Sequence, residues 1–323
     1  MRAPSVPALV LSEPLPLTLH PAAVYLDSLA PGSRPTMEQA LNAIALLLSN
    51  GNCDAMTLNW AGLRYQHTAA VRSALMKKHA PATANKMLCA LRRVLQEAFK
   101  LDLISASDYQ KAVDLRSIKA SKKQRGRRLK PDEITALIRV CQADSSPLGV
   151  RDSALIALLR CGLRRAEVVA LHLKDFDATT GALEILSGKG EKDRTVYMPT
   201  TAIAAVCDWL TIRGSRPGPL LHPIRKGGFI GDYKRMTPQA VFMIVRKRAL
   251  EARVERFSPH DFRRTFCSDL LDSGADIVTV QQLAGHTSPT TTAKYDRRGD
   301  ETKRKAMEKL DISYTPRSHT ISS

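Results

Sequence analysis

Apolar residues recur every three or four positions along most of the chain, and one short stretch alternates instead. In "ATANKMLCALRRVLQEAFKLDLI", residues 82–104, Met87, Leu88, Leu91, Leu95 and Phe99 share one face of a 3.6-residue period, while Lys86, Arg92 and Arg93 fall elsewhere. "PTMEQALNAIALLLSN", residues 35–50, opens with a capping-box pattern, Thr36 as N-cap and Gln39 three residues on. No period-two run interrupts residues 20–115, which predicts a helical domain of four or five helices. Further on, "PDEITALIRVCQ", "RDSALIALLRCGLRRAEVVALHLKDF" and "TPQAVFMIVRKRALEAR" again carry the helical period. "GALEILSGKGEKDRTVYMP", residues 181–199, departs from it: two short β-prone runs flank a Gly- and Lys-rich turn and predict a hairpin. The expected fold is mainly α with one small antiparallel sheet, in two domains.

The expected boundaries follow from composition. A Pro-rich leader covers residues 1–19 and a helical domain residues 20–115. A second domain covers residues 131–310, ending in a helix over "DETKRKAMEKLDI", and a frayed tail covers 311–323. Between the domains, "RSIKASKKQRGRRLK", residues 116–130, holds eight basic residues and no acid, too polar to form a core of its own, and predicts a linker.

With 323 residues and 44% hydrophobic composition the chain can bury two cores, and its net charge of +18 suits a polyanionic partner. Six cysteines (Cys53, Cys89, Cys141, Cys161, Cys207, Cys267) lack metal-type spacing and are expected as reduced core residues. The prolines break up the apolar N-terminus, so it does not resemble a secretory signal, and no segment is long and apolar enough to span a bilayer. The expected protein is soluble and cytoplasmic.

Candidate chemistry gathers in the second domain. Ser258 reads as an N-cap and Pro259 as the first helical residue, which places His260 and Arg263 on one face of a first turn. A helix start already favours anions, and an imidazole with a guanidinium makes it a phosphate site. Gly274 and Gly285 are expected to stop two successive helices, with Asp276 capping the second. His286 follows the stop, and Ser288 and Pro289 begin a short helix before Tyr295. Upstream, a helix restarts at Arg164, with Glu167 three residues on placed to hold a neighbouring charge. Lys189 stands between glycines at the hairpin tip. The stretch from His260 to Tyr295 is read as poor in carboxylates, and no carboxylate cluster suggests a metal.

That ordered set resembles the tyrosine recombinase (integrase) family, in "CGLRRAEVVALHLKDFD", "LSGKGEKDRTVYMP", "SPHDFRRTFCSDLLDSG" and "LAGHTSPTTTAKY". Residues 20–115 resemble the family's helical core-binding domain more weakly. The resemblance implies Tyr295 as nucleophile, Arg164 and Arg263 as the phosphate clamp and Lys189 as general acid. His260 and His286 complete the site, with Glu167 in support. It also implies double-stranded DNA recombination sites as partners, a 3′-phosphotyrosyl intermediate, exchange through a Holliday junction, a tetramer on DNA, and no metal, ATP or other cofactor. DNA contacts are expected from Lys86, Arg92 and Arg93, and along the linker from Lys122, Lys123, Arg125, Arg127 and Arg128. Cys161 and Ala166 stand where the family commonly has Thr and Ser. Two alternatives remain open: a type IB topoisomerase-like relaxing enzyme and a non-catalytic DNA-binding architectural factor.

Overall fold

A computed structural model of the chain describes residues 9–119, 126–186, 193–225, 227–230, 234–296, 304, 307, 308 and 310. The chain divides into two compact units, residues 1–123 and 124–323. The division falls within the basic stretch.

The first unit holds α1 (Pro21–Asp27), α2 (Arg34–Leu48), α3 (Tyr65–Lys78), α4 (Pro81–Lys100) and α5 (Ala106–Val113). Its centre is α4, whose Ala84, Leu88, Leu91, Val94 and Leu95 are fully buried against residues such as Leu41, Ile44, Trp60 and Val71. Removing one such leucine side chain costs about 2–5 kcal/mol, because the space it leaves collapses only in part. Three expectations need correction here. Helix α2 starts at Arg34 with Ser33 as N-cap, so Thr36 lies inside the first turn and forms no capping box. Pro35 explains the earlier start, since its fixed φ suits a first turn. Phe99 does not join the buried face of α4: it is 38% exposed and stacks on Tyr109, centroids 4.9 Å apart. Cys89 is exposed and Cys207 half-buried, while the other four cysteines are buried as expected; all six are free thiols.

The stretch expected as a linker is docked at both ends. Leu115 and Ile118 pack in the first core, and the Asn85 side chain exchanges two hydrogen bonds of 2.8 Å with the Ile118 backbone. Leu129 belongs to the second core. Lys122, Lys123 and Arg125 lie outside the described residues.

The second unit runs α6 (Pro131–Ala143), α7 (Pro147–Arg160), α8 (Arg165–Ala170), β1 (Ala182–Ile185), β2 (Arg194–Tyr197), α9 (Thr200–Arg213), α10 (Pro238–Glu251), α11 (Pro259–Asp272), α12 (Ile277–Ala284) and α13 (Pro289–Ala293). Strands β1 and β2 pair antiparallel with Ala182 opposite Tyr197 and Ile185 opposite Arg194, the expected hairpin. Helix α7 is buried almost all round, consistent with its lack of a polar face, and packs against α6, α8, α9 and α11. Burying α7 also buries charge. Asp152 accepts from Arg151 and from Arg248 Nε at 2.8 Å, and Arg248 also reaches Asp144 at 2.6 Å and Glu251 at 2.9 Å. Paired in this way, the buried charges avoid the cost of a lone ion in a low dielectric. Of the expected C-terminal helix, Arg304, Met307 and Glu308 are described and helical; most of residues 300–312 lies outside the described residues.

Candidate active site

The sequence folds locally as its caps and stops dictate. Ser258 caps α11, Asp276 caps α12 through the N–H groups of Val278 and Thr279, and Ser288 precedes α13. Helix α12 ends at Gly285 in the left-handed region, φ 60 and ψ 49. Arg164 takes an extended conformation as N-cap of α8, and its backbone N–H donates to Glu167 Oε2 at 2.7 Å.

The end of α12 organises the arginines. The last carbonyls of a helix have no partner within it and carry the negative end of its dipole. Here three successive carbonyls each receive a different arginine. Arg194 Nε donates to Leu283 O at 3.0 Å, Arg263 Nη2 donates to Ala284 O, and Arg164 Nη2 donates to Gly285 O at 2.7 Å. Arg263 is only 1% exposed and gives its other terminal nitrogen to Gly162 O at 2.7 Å. Burial, with Arg164 beside it, pulls its pKa down to about 10, so it stays charged at neutral pH.

Glu167 anchors the same cluster. Its Oε1 accepts from Arg164 Nη1 at 2.5 Å and Arg194 Nη1 at 3.1 Å, and its Oε2 accepts from the Arg164 backbone and Arg194 Nη2 at 2.8 Å. Burial alone would raise its pKa, but hydrogen bonds from Arg194 and Arg164 outweigh it and hold the carboxyl below its ordinary value.

Tyr295 lies across from this cluster in a small core with Phe266, Cys267, Leu271, Val280 and Ala284. Its hydroxyl is 3.5 Å from His260 Nε2, its ring stacks on His286 with centroids 5.9 Å apart, and the Arg264 guanidinium sits 5.4 Å over that ring. Burial and then Cys267 raise the phenol's pKa against the pull of Arg264 and Arg263. The phenol is therefore protonated at neutral pH and needs a base to react. Both imidazoles are held neutral. Burial, then Arg263 and Arg264, lowers His260, which sits at the solvent edge of the site. Burial, then Arg263 and Arg164, pushes His286 down to about 4, and its Nδ1 shares a 2.9 Å hydrogen bond with Thr292 Oγ1.

The structure thus brings together Arg164, Glu167, His260, Arg263, His286 and Tyr295. Lys189 lies outside the described residues. Reading this segment as poor in carboxylates needs correction, since Asp261, Asp269, Asp272 and Asp276 all occur in it. Each is committed elsewhere. Asp276 caps α12, Asp269 and Asp272 pair with Arg128 and Arg160, and Asp261 caps Ser258 while accepting Arg127 N–H at 3.0 Å. Sequence reasoning missed Arg194, Arg264 and Thr292. Arg194 is one of several basic residues in the hairpin, and nothing in its spacing ranks it above Lys192.

Of the expected DNA contacts, Lys86 and Arg93 are exposed on α4, whereas Arg92 reaches back to the carbonyls of Val113 and Leu115. Arg127 is forked onto Glu133 at 2.6 and 2.7 Å, and Arg128 pairs with Asp269 and Asp272. Among the described residues, no group of three or more His, Cys, Asp or Glu is placed to hold a metal ion, and no helix is long and apolar enough to cross a membrane.

Arginines capping a helix end beside a buried tyrosine and two neutral histidines make a site built for an anion and a phenolic nucleophile. Residues 127–302 match the phage integrase family, and the chain belongs to it. Tyrosine recombinase XerC of Alcanivorax borkumensis is 32% identical over 216 residues, 66% of this chain and 68% of that protein. XerC of Chromohalobacter salexigens is 36% identical over 174 residues, 52% of this chain and 56% of that protein. Among solved structures, the Tn1549 transposon integrase in complex with transposon right-end DNA shares the fold at 16% identity. Its TM-score is 0.69, covering 91% of this chain and 99% of that one. The chain is a tyrosine site-specific recombinase, an enzyme that cuts and rejoins DNA.

Proposed function

We propose that Tyr295 attacks a phosphodiester of a duplex recombination site and becomes linked to its 3′ side. The Oη–phosphorus bond forms as the bond from phosphorus to the 5′ oxygen breaks. His260 receives the phenolic proton, and Lys189 supplies the proton that leaves with the 5′ hydroxyl. Arg164 and Arg263 hold the non-bridging oxygens, offsetting the charge that builds on phosphorus. Glu167 keeps Arg164 in place, and His286 packs against the nucleophile's ring. Because the ester energy is kept, a 5′ hydroxyl from another strand can reverse the step without ATP. Two such exchanges pass through a Holliday junction, on DNA in the cytoplasm. The observation that carries this reading is the Tyr295 hydroxyl 3.5 Å from His260 Nε2, in the site where Arg164 and Arg263 meet.

Two features support assembly into a tetramer on DNA. A cavity of about 1050 Å³ in the second unit is lined by apolar groups including Ile138, Ile156, Phe266, Leu270 and Leu283. Met307 and Leu310, on the C-terminal segment, are 65% and 68% exposed and suit such a cavity on a neighbouring copy. Deleting residues beyond 300 is expected to weaken assembly, and an intact tetramer after deletion would reject this role. Lys86 and Arg93 are proposed to meet the DNA backbone from the first unit, and Lys122, Lys123 and Arg125 from the basic stretch.

The test is covalent trapping. Duplexes selected by the full-length chain from a randomised pool, nicked at successive positions, should give a protein–DNA adduct that disappears in Tyr295→Phe. An adduct that persists in Tyr295→Phe would show that another residue is the nucleophile. Binding with no adduct at any nick would favour a non-catalytic factor. Relaxation of supercoils without strand exchange would favour a topoisomerase-like enzyme.

A further inference from the structure

Arg164 donates to Glu167 Oε1 and to Gly285 O, and one other side chain, Arg194, bonds to that carboxylate and packs against the turn that carries that carbonyl. Arg194 forks onto both oxygens of Glu167 at 3.1 and 2.8 Å and donates its Nε to Leu283 O at 3.0 Å. Its guanidinium also lies directly under Gly285, where an added Cβ would come within 2.6 Å of Nη1. The Arg194 side chain is 8% exposed and stands at the start of β2, so it ties that strand to the cluster around Glu167.

We infer that Arg194 is a positioning residue for the cleavage step, fixing Glu167 and the 283–285 turn so that Arg164 meets the phosphate in register and His286 keeps its place against Tyr295. This rests on the reading that Arg164 holds the scissile phosphate. The geometry favours positioning over a role in stability alone. The carboxylate of Glu167 already caps α8 through the Arg164 N–H, and a second cation is not needed for that. What the second fork adds is a fixed plane for the carboxylate, and with it a fixed direction for the Arg164 guanidinium. Among the described residues its hydrogen-bond partners are Glu167 and the Leu283 carbonyl, so it acts through these neighbours.

The test compares Arg194→Lys and Arg194→Gln with the wild type on the nicked duplex, in single-turnover reactions below each variant's melting temperature. Lysine keeps the charge but cannot span both oxygens and the carbonyl. The DNA concentration for half-saturation should stay within about 3-fold of wild type. The saturated rate of adduct formation should fall about 10- to 100-fold, the scale expected when a reacting partner is misplaced by an ångström or less. Adding Glu167→Gln to Arg194→Lys should cost less than Glu167→Gln costs alone, since both act on the same anchor. A wild-type saturated rate in Arg194→Lys overturns the inference. So does a rate loss that only follows loss of folded protein, or a double variant whose losses multiply. If the wild type itself forms no adduct, the proposed function fails; if wild type and Arg194→Lys react equally, only the role of Arg194 fails.

Discussion

The hydroxyl of Tyr295 lies 3.5 Å from Nε2 of His260, at the outer limit of hydrogen-bond reach, while the Arg264 guanidinium lies 5.4 Å from the centroid of the same tyrosine ring. The phenol thus sits beside a neutral imidazole and under a guanidinium, the arrangement that the proposed roles of Tyr295 as nucleophile and His260 as base require. Catalytic hydrogen bonds of this kind are often long without substrate and tighten when it binds.

This pairing sets a pH dependence. His260 is held below its ordinary 6.5 by burial and by Arg263 and Arg264, and it can take the phenolic proton only when neutral. Adduct formation is therefore expected to be near its plateau at pH 7 and to fall as pH drops through a value below 6.5. His286, at about 4, adds nothing to that limb above about pH 5. Single-turnover rates between pH 5 and 8 check this, and an acid limb unchanged in His260→Gln would sink the assignment.

Glu167→Ala is expected to cost about 3–5 kcal/mol, because it leaves two arginines without their shared carboxylate in a mostly buried site. The folded carboxyl is held below its ordinary 4.5, so its contribution is fully present above that value and is lost as pH falls through the folded one. Urea unfolding should show a large gap between wild type and Glu167→Ala at pH 7. The gap should narrow well below pH 4.5, and a gap that widens on acidification contradicts the account.

Gly285→Ala tests the α12 terminus without removing any charged group. Its φ of 60 disfavours a side chain by roughly 1–2 kcal/mol, and the new Cβ would press on Arg194 at 2.6 Å. Gly274→Ala is the control, with φ 97 but open space around the added carbon. Both variants should lose some thermal stability, and only Gly285→Ala should lose adduct formation, by about tenfold or more. Equal activity losses in the two would assign the effect to backbone strain.

The Arg248 network predicts stability away from the site. Arg248→Met leaves Asp152, which is 2% exposed, with Arg151 as its remaining partner, and is expected to cost about 1–3 kcal/mol. Adduct formation by the folded variant at low temperature should stay near wild type. Hydrogen bonds from Ser146 and then Arg248 bring Asp144 down to about 2. Its stabilisation is therefore present above about 3.8 and lost as pH falls towards 2. Thermal melts of wild type and Arg248→Met from pH 7 to 2 check both points, and curves that run parallel through the acid range would exclude the Asp144 pairing.

Local structure in the second unit was readable because caps and stops act within a few residues. Ser258 with Pro259, Asp276, Gly285 and Ser288 with Pro289 mark the helix ends that the structure displays, and the hairpin appears where period two replaces 3.6. Where two signals competed, reading failed: Thr36 matched a capping box, but Pro35 started α2 earlier. Phe99 matched the apolar period yet lies on the outside, because α4 has by then passed the core and the ring found Tyr109.

The order of Arg164, Glu167, His260, Arg263, His286 and Tyr295, with the excess of positive charge, was enough to state the chemistry, because each type has one evident task beside a phosphate. What only tertiary structure decided is how those groups are held. The carbonyls of Leu283, Ala284 and Gly285 look alike in any sequence, and so do the basic residues of a hairpin. Folding brings α12's unpaired end against Arg194, Arg263 and Arg164 from three distant segments. A backbone acceptor left over at a helix end has no signature in the residue that carries it, so its partners become visible only once the chain has packed.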